Sequence, residues 1–319
     1  MSIRVIQPGV QTTVQDLGRF GYQQYGVPVA GAMDPHSMKL ANILLDNDPG
    51  EAVLEITIMG PQLLFEEANY VALTGGDLGA TLDGQPMPRY QAVLIQPGQT
   101  LRFRGLRNGC RAYLAFAGGL DIPMVMGSRS TYLKAKMGGF RGRKLEAEDV
   151  LRFRAPNLAL PFPERRRLGA DFVPQKQYEL RVILGPQDDY FTEAGLATFF
   201  KEVYTVSAEF DRMGCRLEGA VVEHKNGGDI ISDGIAFGAI QVPSAGKPII
   251  MAADRQTTGG YTKIATVISA DFRYLGQLKG GDKVHFVPIS VEQAENSLFL
   301  EQQYYQMIID FLNRDRNMS

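Results

Sequence analysis

Cysteine and histidine are scarce in this chain of 319 residues, which holds two of the first and three of the second. Cys110 and Cys215 lie far apart without a C-x-x-C pair, so neither a disulfide framework nor a zinc knuckle is indicated. His36, His224 and His285 form no H-E-x-x-H or other close pair, which argues against a zinc hydrolase. The G-x-S-x-G elbow and the G-x-x-x-x-G-K-[ST] phosphate loop are both missing. The nearest approach to the loop is Gln241-Val242-Pro243-Ser244-Ala245-Gly246-Lys247-Pro248. It lacks the first glycine and has proline where the Mg²⁺-binding hydroxyl belongs. Any ATP used is therefore held by other residues or by another polypeptide.

Charge of one sign is not in excess either. Lys plus Arg total 33 against 35 Asp plus Glu, a formal charge of −2, which argues against nucleic acid as a partner. No apolar run approaches the roughly 18 residues of a spanning helix. The opening Met1-Ser2-Ile3-Arg4-Val5-Ile6-Gln7-Pro8-Gly9 is too short in its apolar part for a signal peptide. The expectation is a cytoplasmic protein with no membrane partner.

What is present is a β-rich texture: 35 glycines and 17 prolines punctuate short runs of Val, Ile, Leu and Phe. Strands are predicted at Glu51–Ile58, Tyr70–Thr74, Gln91–Gln96, Thr100–Arg104, Arg111–Ala117, Glu179–Leu184, Ala236–Val242, Pro248–Ala253 and Lys283–Val287. Their spacing favours barrels or sandwiches over a doubly wound sheet. Three helices are readable. The first opens at Asp34-Pro35, an acid at the N-cap and proline at the first helical position, and ends at Asn47-Asp48-Pro49. The second runs from about Asp189 to Glu202. The third runs from Val291 to about Asn313, with Leu300, Tyr304, Met307, Ile308 and Phe311 as an apolar stripe that predicts a packed tail.

A linker is expected between Ala155 and Lys176, where Pro156, Pro161, Pro163 and Pro174 flank a solvated Glu164-Arg165-Arg166-Arg167 run. It separates a domain at 1–160 from one at 176–319. The halves echo each other: Gly60-Pro61-Gln62 matches Gly185-Pro186-Gln187, and Val27-Pro28-Val29-Ala30-Gly31 resembles Val242-Pro243-Ser244-Ala245-Gly246. Two related β-barrel domains are the simplest explanation.

Four segments gather polar residues and glycines beyond what a core requires. In Gln11–Arg19, continuing to Gly31-Ala32-Met33-Asp34, the charged Asp16, Arg19 and Asp34 either meet a ligand or serve locally, as an Asp16–Arg19 ion pair and an Asp34 cap. The stretch Gly127-Ser128-Arg129-Ser130-Thr131 and the glycines at 138–142 either cradle a carboxylate or phosphoryl group or form a solvated loop. Phe210-Asp211-Arg212-Met213-Gly214 reads as a buried Asp–Arg pair or a substrate clamp. Asp254-Arg255-Gln256-Thr257-Thr258-Gly259-Gly260-Tyr261, at the end of an apolar strand, is a way of presenting polar groups from a rigid scaffold. Asn42, on the apolar face of the first helix, is expected to pin the glycine-rich loop before it. Ser37-Met38-Lys39-Leu40 has the setting of a biotinylated lysine but falls on a helix, so no biotin is expected on this chain.

Together these blocks resemble one family. Thr12-Thr13-Val14-Gln15-Asp16, Gly18-Arg19, Gly26-Val27-Pro28, Gly31-Ala32-Met33-Asp34 and Ala41-Asn42 look like its N-terminal signature. Gly127-Ser128-Arg129-Ser130-Thr131, Asp211-Arg212-Met213-Gly214 and Gln256-Thr257-Thr258-Gly259-Gly260-Tyr261 match its later blocks in order. It is the allophanate hydrolase subunit 2 family, which includes the C subunit of bacterial 5-oxoprolinase, the KipI antagonist KipA and part of the carboxyltransferase domain of urea amidolyase. The resemblance spans about residues 3 to 290.

The resemblance implies two cyclophilin-like β-barrel domains in a mainly β protein with a few helices. It implies a KipI-like B subunit and the 5-oxoprolinase A subunit as partners, with ATP used by the assembled complex to open the lactam 5-oxoproline to glutamate. Two other family roles stand beside this one: a regulator that binds KipI, and a carboxyltransferase component acting on urea or a small amide. Under the oxoprolinase expectation Asp34 and Asp254 are acid/base or orienting groups, and Arg129 and Arg212 are anion clamps. Ser128, Gln256, Thr257 and Thr258 then donate to substrate oxygens. Asp16, Arg19, Ser130, Asp211 and Tyr261 complete the expected substrate-binding set.

Overall fold

The computed structural model describes residues 2–169, 175 and 177–314 and is mainly β, with four α-helices among them. The chain divides into two units. One comprises Met1–Arg19, Ala30–Pro174 and Gln302–Ser319, the other Phe20–Val29 and Gln175–Glu301.

The first unit begins with β1 (Ser2–Gln7), β2 (Gln11–Gln15), α1 (Pro35–Leu44), β3 (Val53–Thr57) and β4 (Gln62–Phe65). β5 (Asn69–Asp77), β6 (Ala80–Leu82), β7 (Gln85–Pro86) and β8 (Ala92–Ile95) follow. β9 (Thr100–Phe103), β10 (Asn108–Phe116) and β11 (Val150–Arg152) complete it. They form a six-stranded sheet ordered β11-β1-β4-β9-β6-β7 and a five-stranded sheet ordered β2-β3-β10-β5-β8.

Period-two alternation sets the first sheet's buried face. Ile3 pairs with Phe65 and Val5 with Leu63, and all four are buried. In β3 the alternation disappears and every residue is buried, because both faces of the second sheet are covered. One face packs Leu54, Ile56, Leu114 and Phe116 into a core shared with the first sheet. The other packs Val53, Tyr113 and Ala115 against Met38, Ala41 and Leu44 of α1 and against Tyr305, Ile308 and Leu312 near the chain's end. The first unit is thus two sheets and a helical layer, not a single closed barrel.

The second unit holds β12 (Gln177–Leu184), α2 (Glu193–Lys201), β13 (Tyr204–Phe210), β14 (Gly214–Glu218) and β15 (Asp229–Gly234). β16 (Ala239–Val242), β17 (Ile249–Met251), β18 (Thr258–Val267), α3 (Phe272–Leu275) and β19 (Lys283–Pro288) follow, and α4 (Val291–Leu312) leads out of it. Its eight strands are ordered β12-β19-β13-β14-β17-β16-β18-β15, and β12 also pairs with β18. That extra pairing returns the ladder on itself and leaves β15 outside it. Phe199 of α2 stacks on Phe286 of β19 with centroids 4.5 Å apart.

Local signals produced the expected elements. Asp34 Oδ1 accepts from the Ser37 N–H at 2.9 Å with Pro35 following, and α1 forms there. Helix α2 starts at Glu193 under a Thr192 cap, because residues 188–190 form a separate 3₁₀ turn. Long-range packing changed three other readings. Gln11–Gln15 is a strand, not a loop, since it pairs along its length with β3. Arg166, in the expected solvated linker, is fully buried: its Nε donates to the Pro161 carbonyl at 2.8 Å. Its Nη1 reaches the Ile43 carbonyl at the end of α1 at 3.4 Å, where a cation suits the helix dipole. Pro174 and Lys176 of that linker lie outside the described residues. Asn42 pins the loop after α1 instead of the one before it, donating to the Glu51 carbonyl at 2.7 Å.

The C-terminal helix is packed, but on a rotated face. Tyr305, Ile308 and Leu312 are buried, whereas Leu300, Met307 and Phe311 of the predicted stripe are exposed. Residues 302–314, expected in the second domain, belong to the first unit, where Tyr305, Ile308 and Leu312 share a core with α1. Ile308→Ala is expected to destabilise the protein by about 2–4 kcal/mol. Met307→Ala is expected to stay within about 0.5 kcal/mol. Chemical denaturation of the two variants decides the matter, since equal losses would contradict this packing.

Candidate functional site

The expected site residues fall into two groups, one in each unit. In the first, Asp16 directly follows β2 and is 7% exposed. Its Oδ1 accepts from Ser128 Oγ at 2.6 Å, from Ser130 Oγ at 2.5 Å and from the Gly18 N–H at 2.8 Å. Its Oδ2 accepts from the Arg129 N–H at 2.5 Å. Arg19 is fully buried and its Nη2 donates to the Ser130 carbonyl at 2.6 Å. Gly138 sits at φ +64°, where a Cβ would collide with the Ser130 carbonyl and Arg19, so the glycine is what lets this stretch close over them. The Arg129 guanidinium donates from Nε to the Ile122 carbonyl at 2.9 Å and lies 3.7 Å from Glu51. Asp16, Arg19, Ser128, Arg129 and Ser130 are thus brought together, as a buried hydrogen-bond hub.

Asp34 is fully buried and its second oxygen accepts from Ser37 Oγ at 2.6 Å, so both oxygens serve the helix cap. Its N–H donates to the Tyr113 hydroxyl at 2.8 Å, and that hydroxyl donates to Glu55 Oε2 at 2.9 Å. Burial, followed by the charges of Glu55 and Asp34, pushes the Tyr113 hydroxyl well above the ordinary tyrosine value, so it remains a donor. Asp34 therefore caps α1 with both of its oxygens. Glu55 was invisible to sequence reading as a polar residue inside an apolar strand. Lys39 lies on α1 with its Nζ 4.9 Å from the centroid of Tyr305.

In the second unit, Arg212 finds its partner 42 residues away instead of next door. Its Nε donates to Asp254 Oδ2 at 3.0 Å and its Nη2 to Oδ1 at 2.8 Å, with both residues buried. Backbone bonds reinforce the clasp: Asp254 N–H to the Arg212 carbonyl at 2.7 Å and Ala252 N–H to the Met213 carbonyl at 2.9 Å. Asp211 is exposed and closes the turn, its Oδ1 accepting from the Met213 N–H at 2.7 Å and the Gly214 N–H at 3.1 Å. Arg255 donates to the Ile235 carbonyl at 2.9 Å, and burial pulls its guanidinium down to about 10 despite neighbouring Asp254.

Against this clasp lies a cleft of about 460 Å³, within the usual size of a small-molecule site. Phe210, Ile249, Met251 and Tyr261 give it an apolar lining, and Glu209, Asp211, Arg216, Gln241 and Gln256 a polar one. Asp211, Gln256 and Tyr261 of the expected set therefore meet here, whereas the Arg212 side chain turns to Asp254. Thr257 and Thr258 sit where β18 begins: the Thr257 carbonyl accepts from the Ile235 N–H at 3.1 Å and Thr258 pairs with Gly234. Sequence reading passed over Gln241, seen only as part of a failed phosphate loop. The signal was there, an amide inside the apolar run Ala239-Ile240-Gln241-Val242. No cluster of three or more His, Cys, Asp or Glu among the described residues is placed to hold a metal ion, and no described helix is long and apolar enough to cross a membrane.

Residues 25–288 match the family model described as "Carboxyltransferase domain, subdomain A and B". The chain is 36% identical over 308 residues to the C subunit of 5-oxoprolinase from Escherichia coli, covering 96% of this chain and 97% of that one. It is 34% identical over 319 residues to urea amidolyase of Saccharomyces cerevisiae, covering 92% of this chain but only 17% of that one. The crystal structure of the Kluyveromyces lactis urea carboxylase superposes with a TM-score of 0.88 at 31% identity, over 96% of this chain and 29% of that chain. A mainly β fold, the ordered motifs and a family match over most of its length lead to one conclusion: the chain belongs to the carboxyltransferase domain family.

Proposed function

We propose that this chain is the C subunit of an ATP-dependent 5-oxoprolinase, a cytoplasmic component that is inactive alone. It acts with a KipI-like B subunit and the A subunit to hydrolyse 5-oxoproline to L-glutamate. The observation that carries this reading is the 36% identity over 308 residues to the Escherichia coli C subunit, across 97% of that protein. A second reading, a carboxyltransferase component acting on urea or a small amide, draws on the TM-score of 0.88 to the urea carboxylase structure.

In this proposal the cleft of the second unit receives the lactam, with Tyr261 and Gln256 at its wall, and the Arg212–Asp254 clasp holds that wall in place. The Asp16 hub keeps the first unit's loops in register. The segment 241–248 does not form a phosphate cradle. Gln241 and Val242 are strand residues, Lys247 pairs with Glu218, and a Cβ on Gly246 would meet Val221 and Val222. The nucleotide consumed by the complex draws on other residues.

Glutamate formation from 5-oxoproline and ATP, measured with this chain and its B and A partners and omitting one at a time, tests the reading. Activity should vanish without this chain. Inactivity of a verified complex would remove the oxoprolinase assignment in favour of carboxyltransferase or KipI-binding assays. Asp254→Ala is expected to lower stability by about 3–5 kcal/mol, because it takes the paired carboxylate away from a buried guanidinium. Gln256→Ala, at an exposed wall position, is expected to stay within about 0.5 kcal/mol while raising KM. An inactive Asp254→Ala variant with wild-type stability would restore Asp254 as a candidate acid or base.

A further inference from the structure

Buried carboxamides ordinarily find hydrogen-bond partners. The amide nitrogen of Gln241 does not: the residue is 4% exposed and lines the cleft, and its Nε2 has no partner among the described residues. Its strand neighbours Ile240 and Val242 are fully buried, and the pleat sets their side chains on the opposite side of β16 from Gln241.

Gly259 on β18 faces the same amide. A Cβ there would lie 2.8 Å from Gln241 Nε2 and 2.6 Å from Ile235 Cδ1. Its backbone is not in the left-handed region, so conformation does not demand glycine; space does. Any side chain at 259 would cover the unpaired amide. Of the cations nearby, Arg212 is bonded to Asp254, Arg255 to the Ile235 carbonyl and Lys263 to Asp233, while Arg216 is exposed beside Glu209. Gln241 is therefore a buried neutral group in the cleft lining beside apolar Ile249 and Met251.

We propose that Gln241 is the specificity-determining residue of this cleft and that it reads a cis-amide edge. Such an edge carries C=O and N–H on the same side, as in a lactam or a cyclic ureide. The proposal rests on the reading of the cleft as the substrate site. A carboxamide carries a donor and an acceptor side by side. Against a cis amide it makes two parallel hydrogen bonds: Gln241 N–H to the ligand carbonyl oxygen, and ligand N–H to Gln241 Oε1. The apolar lining excludes water from the pair and strengthens both bonds. A trans open-chain amide presents only one of the two groups and leaves the other half of Gln241 unpaired.

The test is binding of 5-oxoproline, 2-pyrrolidinone, 2-imidazolidinone and N-methyl-2-pyrrolidinone to the full chain, alone and in the assembled complex, by ligand-observed NMR. The three N–H probes are expected to compete for one site, and the N-methyl lactam to bind at least about tenfold more weakly. Gln241→Met and Gly259→Ala should weaken the N–H probes by a similar factor. The melting temperature of Gln241→Met should hold, since a donor without a partner is being removed. Gln241→Glu keeps the shape and acceptor but loses the donor, and serves if the Met variant does not fold. Equal affinity for the lactam and its N-methyl form, unchanged binding by the folded Gln241 variant, or no binding of any probe by the wild type overturns the proposal. Hydrolysis of 5-oxoproline with wild-type KM in Gln241→Met sinks the role of Gln241 and leaves the oxoprolinase reading intact. Gln241-dependent capture of 2-imidazolidinone by a complex that turns over no 5-oxoproline has the reverse meaning.

Discussion

The cleft of the second unit exists because two opposite charges are buried beside it. Removing an arginine and an aspartate from water is costly unless each finds well-aligned hydrogen bonds, and Arg212 and Asp254 do so in a two-point contact at 2.8 and 3.0 Å. The backbone bonds from Ala252 and Asp254 to the Met213 and Arg212 carbonyls tie the same segments together. The turn at 211–214 and the stretch at 252–256 are held as one wall in consequence, and Asp211, Met213, Gly214 and Gln256 take their places on it. Both oxygens of Asp254 accept from the Arg212 guanidinium, so the carboxylate helps to set the shape of this wall.

The first unit applies the same rule with neutral donors. Asp16 has no guanidinium across from it in the bonds described; two serine hydroxyls and two backbone N–H groups converge on its carboxylate. Glu55 also accepts from neutral groups, the Tyr113 hydroxyl and the Met33 N–H, but has the Arg111 guanidinium 3.9 Å away as well. Buried carboxylates that collect short hydrogen bonds from distant segments fix loops more firmly than apolar contact alone, because each lost bond leaves an unsolvated charge. Polar motifs that look like a reaction centre in sequence can therefore be the fastenings that hold one open.

Legibility in the sequence followed distance along the chain. The N-cap at Asp34, the proline after it and the apolar runs of β5, β9 and β10 are local signals, and those elements form where they were expected. The pairing of Arg212 with Asp254 spans 42 residues and left no local trace, so the adjacent Asp211 was the natural partner to suppose. The buried face of α4 was misjudged for a similar reason. Of the expected stripe Ile308 is buried, while Leu300, Met307 and Phe311 are exposed and Tyr305 and Leu312 take their place, because α1 and the second sheet lie on that face. Asp211, Gln256 and Tyr261 were legible as a site because they flank glycines at strand ends; Gln241 and Gly259 acquire meaning only once β16 and β18 are side by side.

A neutral recognition group explains how one scaffold can suit chemically different amides. A clamp built from arginines would select for anionic groups and would bind carboxylate and phosphate alike. A buried carboxamide beside apolar side chains selects for geometry instead, since its donor and acceptor are satisfied together only by a partner with the complementary pair on one edge. Lactams and ureas share that edge, whatever else they carry. Under the proposal, discrimination between them would fall to groups around the rim, where Glu209, Asp211 and Arg216 are exposed. On this view the inner end of the cleft defines the class of bond to be handled, and the assembly around it defines which molecule brings that bond.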